Sequence, residues 1–227
     1  MRNYTDKNIK LKAVIFDMDG VVVNSQPLYF ELERKYFNEL GLNIPPEEYN
    51  NFVGMNMNNM WFYLKEKYHI KQSLDFLIEN NIKNFVENIN SSDELKPISG
   101  VVDLFNKLRN NHIKIAIASS SSGSVVDSML NKLQIKFFFN VIVCGDDVYN
   151  GKPAPDIFLL TAERLRTKPE ECIVIEDSYN GVKASNSANI KCVGFLNTHS
   201  GDQDLSNAER IIKDFSNINL EMLKHIL

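Results

Sequence analysis

The sequence predicts an α/β protein, a Rossmann-like core of parallel strands with a helical cap inserted after the first strand. Three observations carry this expectation. From Pro97 onward, short apolar runs alternate with segments of helical periodicity. One further apolar run, residues 11–16, stands far upstream of the others. Between them, residues 27–95 show helical periodicity and no strand pattern. Strands alternating with helices imply parallel pairing through right-handed crossovers, so the upstream run belongs to the same sheet.

Each element has a local reason. Residues 11–16 are apolar, β-favouring and too few for a helix. Residues 27–40 alternate faces as a helix does, and Gly41 ends them. Pro45-Pro46 opens another helix, Gly54 interrupts the next stretch, and 56–68 and 73–88 read as two more helices. Then come a helix at 99–110, a strand at 113–118, a helix at 123–133 and a strand at 138–144. A helix at 155–165 has proline in its first turn. A strand at 172–175, a helix at 180–188 and a strand at 191–195 complete the series. The expected division is a discontinuous core of residues 1–26 and 96–227 with a cap of residues 27–95. A cap with its own small core, joined by two crossings near the sheet edge, is placed to act as a lid.

The 227 residues are 44% hydrophobic and 24% charged, ordinary for a globular chain. A net charge of −4 gives no basic field for nucleic acid. No run approaches the ~18 apolar residues of a membrane span, and the polar N-terminal twelve residues have no signal-peptide core. Cys144, Cys172 and Cys192 are odd in number and sit in or beside apolar runs. Buried thiols in a reducing compartment follow, not a disulfide frame. A cytoplasmic monomer with no nucleic-acid or membrane partner is the expectation.

Four expected strands end in polar, reactive residues: Asp17 and Asp19; Ser119 to Ser122; Gly151-Lys152-Pro153; and Glu176-Asp177-Ser178. In a parallel sheet these ends share the edge where α/β proteins bind ligands. Crowded carboxylates must protonate or hold a cation, and an all-oxygen set favours a hard ion such as Mg²⁺. With charge cancelled, a phosphate ester could approach Asp17, the nucleophile of an acyl-phosphate pathway. Lys152, Ser119 and turn N–H groups could hold the phosphate oxygens. Asp19 could supply general acid–base help worth roughly 10²–10⁴-fold. Ser120 is a further phosphate-binding candidate in the serine run.

Asp-x-Asp-Gly-Val after a strand, serine after the second core strand, Gly-Lys-Pro-x-Pro, then Glu-Asp-Ser-x-x-Gly resemble the ordered motifs of the haloacid dehalogenase (HAD) superfamily. The likeness spans essentially the whole chain and points to the capped phosphatase and phosphomutase branch, including β-phosphoglucomutase-like proteins. It implies an HAD-like fold, Asp17 as nucleophile, Asp19 as acid/base, and Ser119 and Lys152 on the phosphate. It further implies an Mg²⁺ cofactor held by Asp17, the Asp177 side chain, Glu176 directly or through water, and the Asp19 backbone carbonyl. Asp19 argues against dehalogenation, because the superfamily's dehalogenases lack that second acid.

Three positions depart from the mutase pattern. Tyr29 replaces a histidine, Met57 replaces an arginine, and Ser122 replaces a lysine. The arginine and lysine grip a second phosphate in mutases, so hydrolysis of a small phosphate ester is the leading reading and a hexose-phosphate mutase the alternative. A receiver-type signalling protein shares the acid cluster and the Lys-Pro, but its small domain has no cap.

The cap has 6 basic and 11 acidic residues, and none is charged from Asn50 to Leu64. A Gly54 loop facing the acids would present amides, methionines and aromatics, suited to a neutral sugar or polyol. Asn24, Tyr29, Gly54 and Met57 are the candidate substrate contacts. Trp61, Phe62 and Tyr63 read as cap core. His69, His112, His199 and His225 are scattered without ligand spacing.

Overall fold

The computed structural model describes residues 10–52 and 54–227; most of the polar N-terminal segment lies outside them. Six strands form one parallel sheet: β1 (Ala13–Phe16), β2 (Lys114–Ala118), β3 (Val141–Val143), β4 (Cys172–Glu176), β5 (Lys191–Phe195) and β6 (Arg210–Ile212). Their order is β3-β2-β1-β4-β5-β6. β1 lies between β2 and β4, with Ile15 beside Ala116 on one side and Val174 on the other. It is covered on both faces, which is why it reads as an unbroken apolar run. Val14 and Phe16 enter one apolar core, while Ala13 and Ile15 enter the other.

Four helices lie between β1 and β2's leading helix: α1 (Gln26–Glu39), α2 (Pro46–Tyr49), α3 (Met57–Tyr68) and α4 (Leu74–Ser91). Asn56 and Ser73 cap α3 and α4 through their side-chain oxygens. This helical insertion encloses an apolar cluster around Tyr36, Phe37, Trp61, Leu64 and Leu77. Trp61 is fully buried, and its indole N–H donates to Asn81 Oδ1 at 2.8 Å. Phe62 and Tyr63, expected in that core, are exposed on the outer face of α3. They follow Trp61 directly, and adjacent helical residues cannot share its face.

The remaining helices are α5 (Val101–Asn110), α6 (Gly123–Lys132), α7 (Asp156–Arg164), α8 (Tyr179–Ser187) and α9 (Leu220–Ile226). α4 joins the insertion to the main core. Phe85 of α4 stacks on Tyr29 at 4.4 Å, and Ser128 and Lys132 of α6 donate to Asn90.

The expected strand at 138–144 is shorter, because residues 136–138 form a 3₁₀ turn that packs Phe138 against Phe105. The helix expected from 99 starts at Val101, after Gly100 turns the chain at φ +81°. The strand β6 and helix α9 extend the expected architecture. The three cysteines are buried and free, and all four histidines are exposed. Among the described residues, no helix is long and apolar enough to cross a membrane.

Candidate active site

The site begins where β1 runs out. The Asp17 N–H donates to Ile175 O at 3.0 Å, extending the ladder by one residue. The chain then folds back, with the N–H groups of Val22 and Val23 donating to Met18 O. Gly20 makes the turn possible. Its φ is +86°, and a Cβ there would lie 1.9 Å from Asp177 Oδ2. Asp17 therefore faces the end of β4, while the Asp19 side chain meets the serines after β2.

Lys152 follows β3 and is 1% exposed. Its ammonium donates to Asp17 Oδ1 at 2.5 Å and Glu176 Oε1 at 2.7 Å. Glu176 Oε2 also accepts from the Ser178 N–H at 2.6 Å and the Ser178 hydroxyl at 2.9 Å. Gly181 leaves the room, since a Cβ there would fall 1.8 Å from Glu176 Oε1. Asp177 accepts from the Ser200 hydroxyl.

One ligand oxygen from each of Asp17, Glu176 and Asp177 lies within 4.8 Å of the others, and all three residues are buried. Three carboxylates around one ammonium leave uncompensated negative charge. Burial pushes the Asp17 carboxyl up to about 8; Lys152 opposes that shift, while Glu176 and Asp19 add to it. Asp177 is pushed well above the carboxylate range by burial and by Glu176 and Asp17. A buried, all-oxygen, electron-rich group of this kind could hold a hard divalent ion. Asp19's carboxylate lies outside this group.

Asp19 is held elsewhere. Its Oδ1 accepts from Ser25 at 2.6 Å, and its Oδ2 from Ser121 at 2.8 Å and Ser119 at 3.3 Å. Ser119 is fully buried. Ser120 instead donates to the carbonyl of Gly54 at 2.9 Å, tying the sheet edge to the insertion. The same loop presses on two other strand ends. A Cβ on Gly54 would meet Ser178 Oγ at 2.5 Å, and one on Gly151 would meet Asn56 Nδ2 at 2.4 Å.

Between sheet edge and insertion lies a cavity lined by Asp17, Asp19, Tyr29, Glu33, Tyr49 and Met57, among others. Among the described residues, its lining contains no Lys, Arg or His. Gly54 and Ser120 line it too. Asn24 does not; its side-chain oxygen accepts from Asn197 at 3.4 Å, and Asn197 also holds the Gly20 carbonyl at 2.9 Å. Asn24 thus belongs to the packing of the turn after β1. Ser122 is buried, and its hydroxyl has no hydrogen-bond partner among the described residues.

Glu33 was not anticipated from sequence. It is 8% exposed and accepts a short hydrogen bond from the Tyr49 hydroxyl. Burial raises its carboxyl to about 7, with Tyr49 opposing and Asp19 adding to the shift. The available signal was spacing: Gln26, Tyr29 and Glu33 recur at i, i+3 and i+7 and share one face of α1. Ser25 and Ser200 were also missed, because a lone serine in a polar loop is ordinary; Ser121 was read only as part of the serine run.

A parallel sheet gathers carboxylates, serine hydroxyls and a buried lysine at one edge beneath a helical insertion, an arrangement that could act on an anionic ester. Residues 14–195 match the haloacid dehalogenase-like hydrolase family, and the chain belongs to it. It is 36% identical over 184 residues to a phosphorylated carbohydrates phosphatase from Thermotoga maritima, covering 80% of this chain and 83% of that protein. It is 27% identical to a fructose-1-phosphate phosphatase from Escherichia coli, covering 80% and 94%. The structure is similar to a β-phosphoglucomutase from Clostridium difficile, with a TM-score of 0.83, 27% identity, and coverage of 95% of this chain and 96% of that one.

Proposed function

We propose that this phosphomonoester hydrolase removes phosphate from a small metabolite with a neutral leaving group, a sugar or polyol monophosphate. The observation that carries the reading is a cavity that joins Asp17 and Asp19 to an insertion wall without a cation. Nothing there would neutralise a second phosphate. The sugar-phosphate phosphatases among the relatives support the same class.

Asp17 is the proposed nucleophile. A carboxylate oxygen forms a bond to phosphorus as the ester P–O bond breaks, giving an acyl phosphate. Lys152, already on Asp17 Oδ1, orients the carboxylate and offsets charge on the phosphoryl oxygens. Asp19 protonates the departing ester oxygen. It then takes a proton from the water that attacks phosphorus, releasing phosphate and restoring Asp17. Ser119 and Ser121 position the Asp19 carboxylate for both transfers. Asp17, Glu176 and Asp177 would hold Mg²⁺, with the Asp19 carbonyl as a further ligand. The ion supplies the positive charge that lets a dianionic ester come near these acids.

Residues 27–95 are the proposed cap over a core of residues 1–26 and 96–227. Its Gly54 loop, seated on three strand ends, would exclude water during the first transfer.

Met57 and Ser122 favour hydrolysis over mutase chemistry, since neither brings the positive charge with which the arginine and lysine of mutases grip a second phosphate. The test is phosphate release from sugar, polyol, nucleotide and carboxylated monophosphates, with Mg²⁺ and with EDTA. β-Glucose 1-phosphate is assayed in parallel for isomerisation. Metal-dependent release, fastest with sugar or polyol monophosphates, is expected. Isomerisation without release, or release indifferent to EDTA, would overturn the reading.

A further inference from the structure

The phosphoryl chemistry leaves one carboxyl of the cavity without a task. Glu33 lies in α1, seven residues beyond Gln26 and four beyond Tyr29, and all three line the cavity. Tyr49, from α2, donates to Glu33 Oε2 and so fixes the side chain. Oε1 accepts no hydrogen bond from the described residues. Among the described residues, Tyr29's hydroxyl, buried on the same helix face, has no hydrogen-bond partner either. Asp19 and Ser121 are its polar neighbours.

A buried carboxyl with one idle oxygen is costly unless something completes it. Among the described residues, no cation bears on it. The charged group that bears on Glu33 is Asp19, of the same sign. The neighbouring lining is Phe52, Phe85, Met55 and Met60, which suits the carbon skeleton of a ligand.

We propose that Glu33 determines specificity by accepting a hydroxyl of the leaving group on Oε1, and that the same carboxyl turns away leaving groups carrying a second negative charge. The inference rests on the phosphatase reading above and names the residue that reads its substrate. Tyr49 is the positioning residue, acting through Oε2. Tyr29 offers the substrate a second hydroxyl contact from one helical turn away.

Three substrates test this: the best sugar or polyol monophosphate of the wild-type panel, p-nitrophenyl phosphate, which has no leaving-group hydroxyl, and 2-phosphoglycolate, which is anionic at the far end. In Glu33→Ala, kcat/KM for the hydroxylated substrate should fall about 10- to 100-fold, mainly through KM. Its ratio to the aryl phosphate should fall at least about tenfold, while phosphoglycolate gains on both. Glu33→Gln, which keeps shape and one acceptor but no charge, should recover part of the first ratio and keep the phosphoglycolate gain.

Parallel losses on all three substrates with a lowered melting temperature would make Glu33 a structural residue and overturn the inference. Unchanged ratios in both variants would overturn it as well. A wild-type preference for ammonium-bearing monoesters that collapses in Glu33→Gln would replace the hydroxyl with a cation. A wild-type enzyme that prefers phosphoglycolate or bisphosphates refutes the proposed substrate class before any variant is made. A sugar or polyol preference that survives Glu33→Ala refutes only the role of Glu33.

Discussion

On the sheet side of the cavity, each carboxylate is held by a group from a different strand end. Asp17 and Glu176 share Lys152, Asp177 has Ser200, and Asp19 has Ser25, Ser119 and Ser121. On the insertion side the lining is methionine and aromatic, and among the described residues its carboxyl, Glu33, has only Tyr49. The first wall is built so that little can change without moving a charge. The second tolerates replacement, because apolar side chains substitute for one another cheaply when volume is kept. On the proposed function, reaction type then belongs to the sheet edge and substrate choice to the insertion.

The largest expected effect lies on the first wall. Asp17→Asn keeps the shape and removes the proposed nucleophile, so turnover should fall by at least about 10⁴-fold. Circular dichroism and the melting curve should still report a folded protein. Near-normal turnover in that variant would remove the nucleophile from the sheet edge. Trp61→Ala is the counterpart in the insertion. It empties a fully buried site and strands the Asn81 acceptor, costing about 3–5 kcal/mol. Denaturant unfolding should show that loss. A cost under ~1 kcal/mol would mean that the insertion's core is not the packed unit described here.

The two walls were also unequally legible in the sequence. Asp17, Lys152, Glu176 and Asp177 could be read because each follows a strand in a set order, and parallel topology carries strand ends to one edge. The insertion's contribution could not be read that way. Helical periodicity places Glu33 on a face with Tyr29, but whether that face meets solvent or a cavity depends on how the insertion docks. Asn24 illustrates the converse: it lies close in sequence to the acids, yet Asn197, far along the chain, takes its side chain into the turn. β6 and α9 were missed because three and seven residues are too few to establish a period.

A smaller effect tests the charge on the second wall. Glu33 titrates near 7 in the folded protein against an ordinary value of 4.5. Between those values the native state binds more protons than the unfolded chain, so this group's contribution to stability declines as pH rises. Above pH 7 the full penalty is present, at most ~3 kcal/mol. Tyr49, Tyr29 and Asp19 bear on the same carboxyl, and all three remain in Glu33→Gln. The melting temperature of that variant minus wild type should therefore increase between pH 5 and pH 8. A difference independent of pH would show that Glu33 ionises as an exposed carboxyl does.

The smallest predicted effects come from two adjacent serines that divide between the walls. Ser121 donates to Asp19, and Ser120 donates to the Gly54 carbonyl of the insertion. Each alanine variant loses one hydrogen bond worth about 1 kcal/mol, so each should change a kinetic constant about fivefold. The constants should differ. Ser121→Ala loosens the proposed acid, which keeps Ser25 and Ser119, and should lower kcat with little change in KM. Ser120→Ala frees the loop that closes the cavity and should raise KM with little change in kcat. If both variants lowered kcat alike, the Gly54 loop would be part of the catalytic wall, and the division between chemistry and selection would have to be drawn inside the insertion.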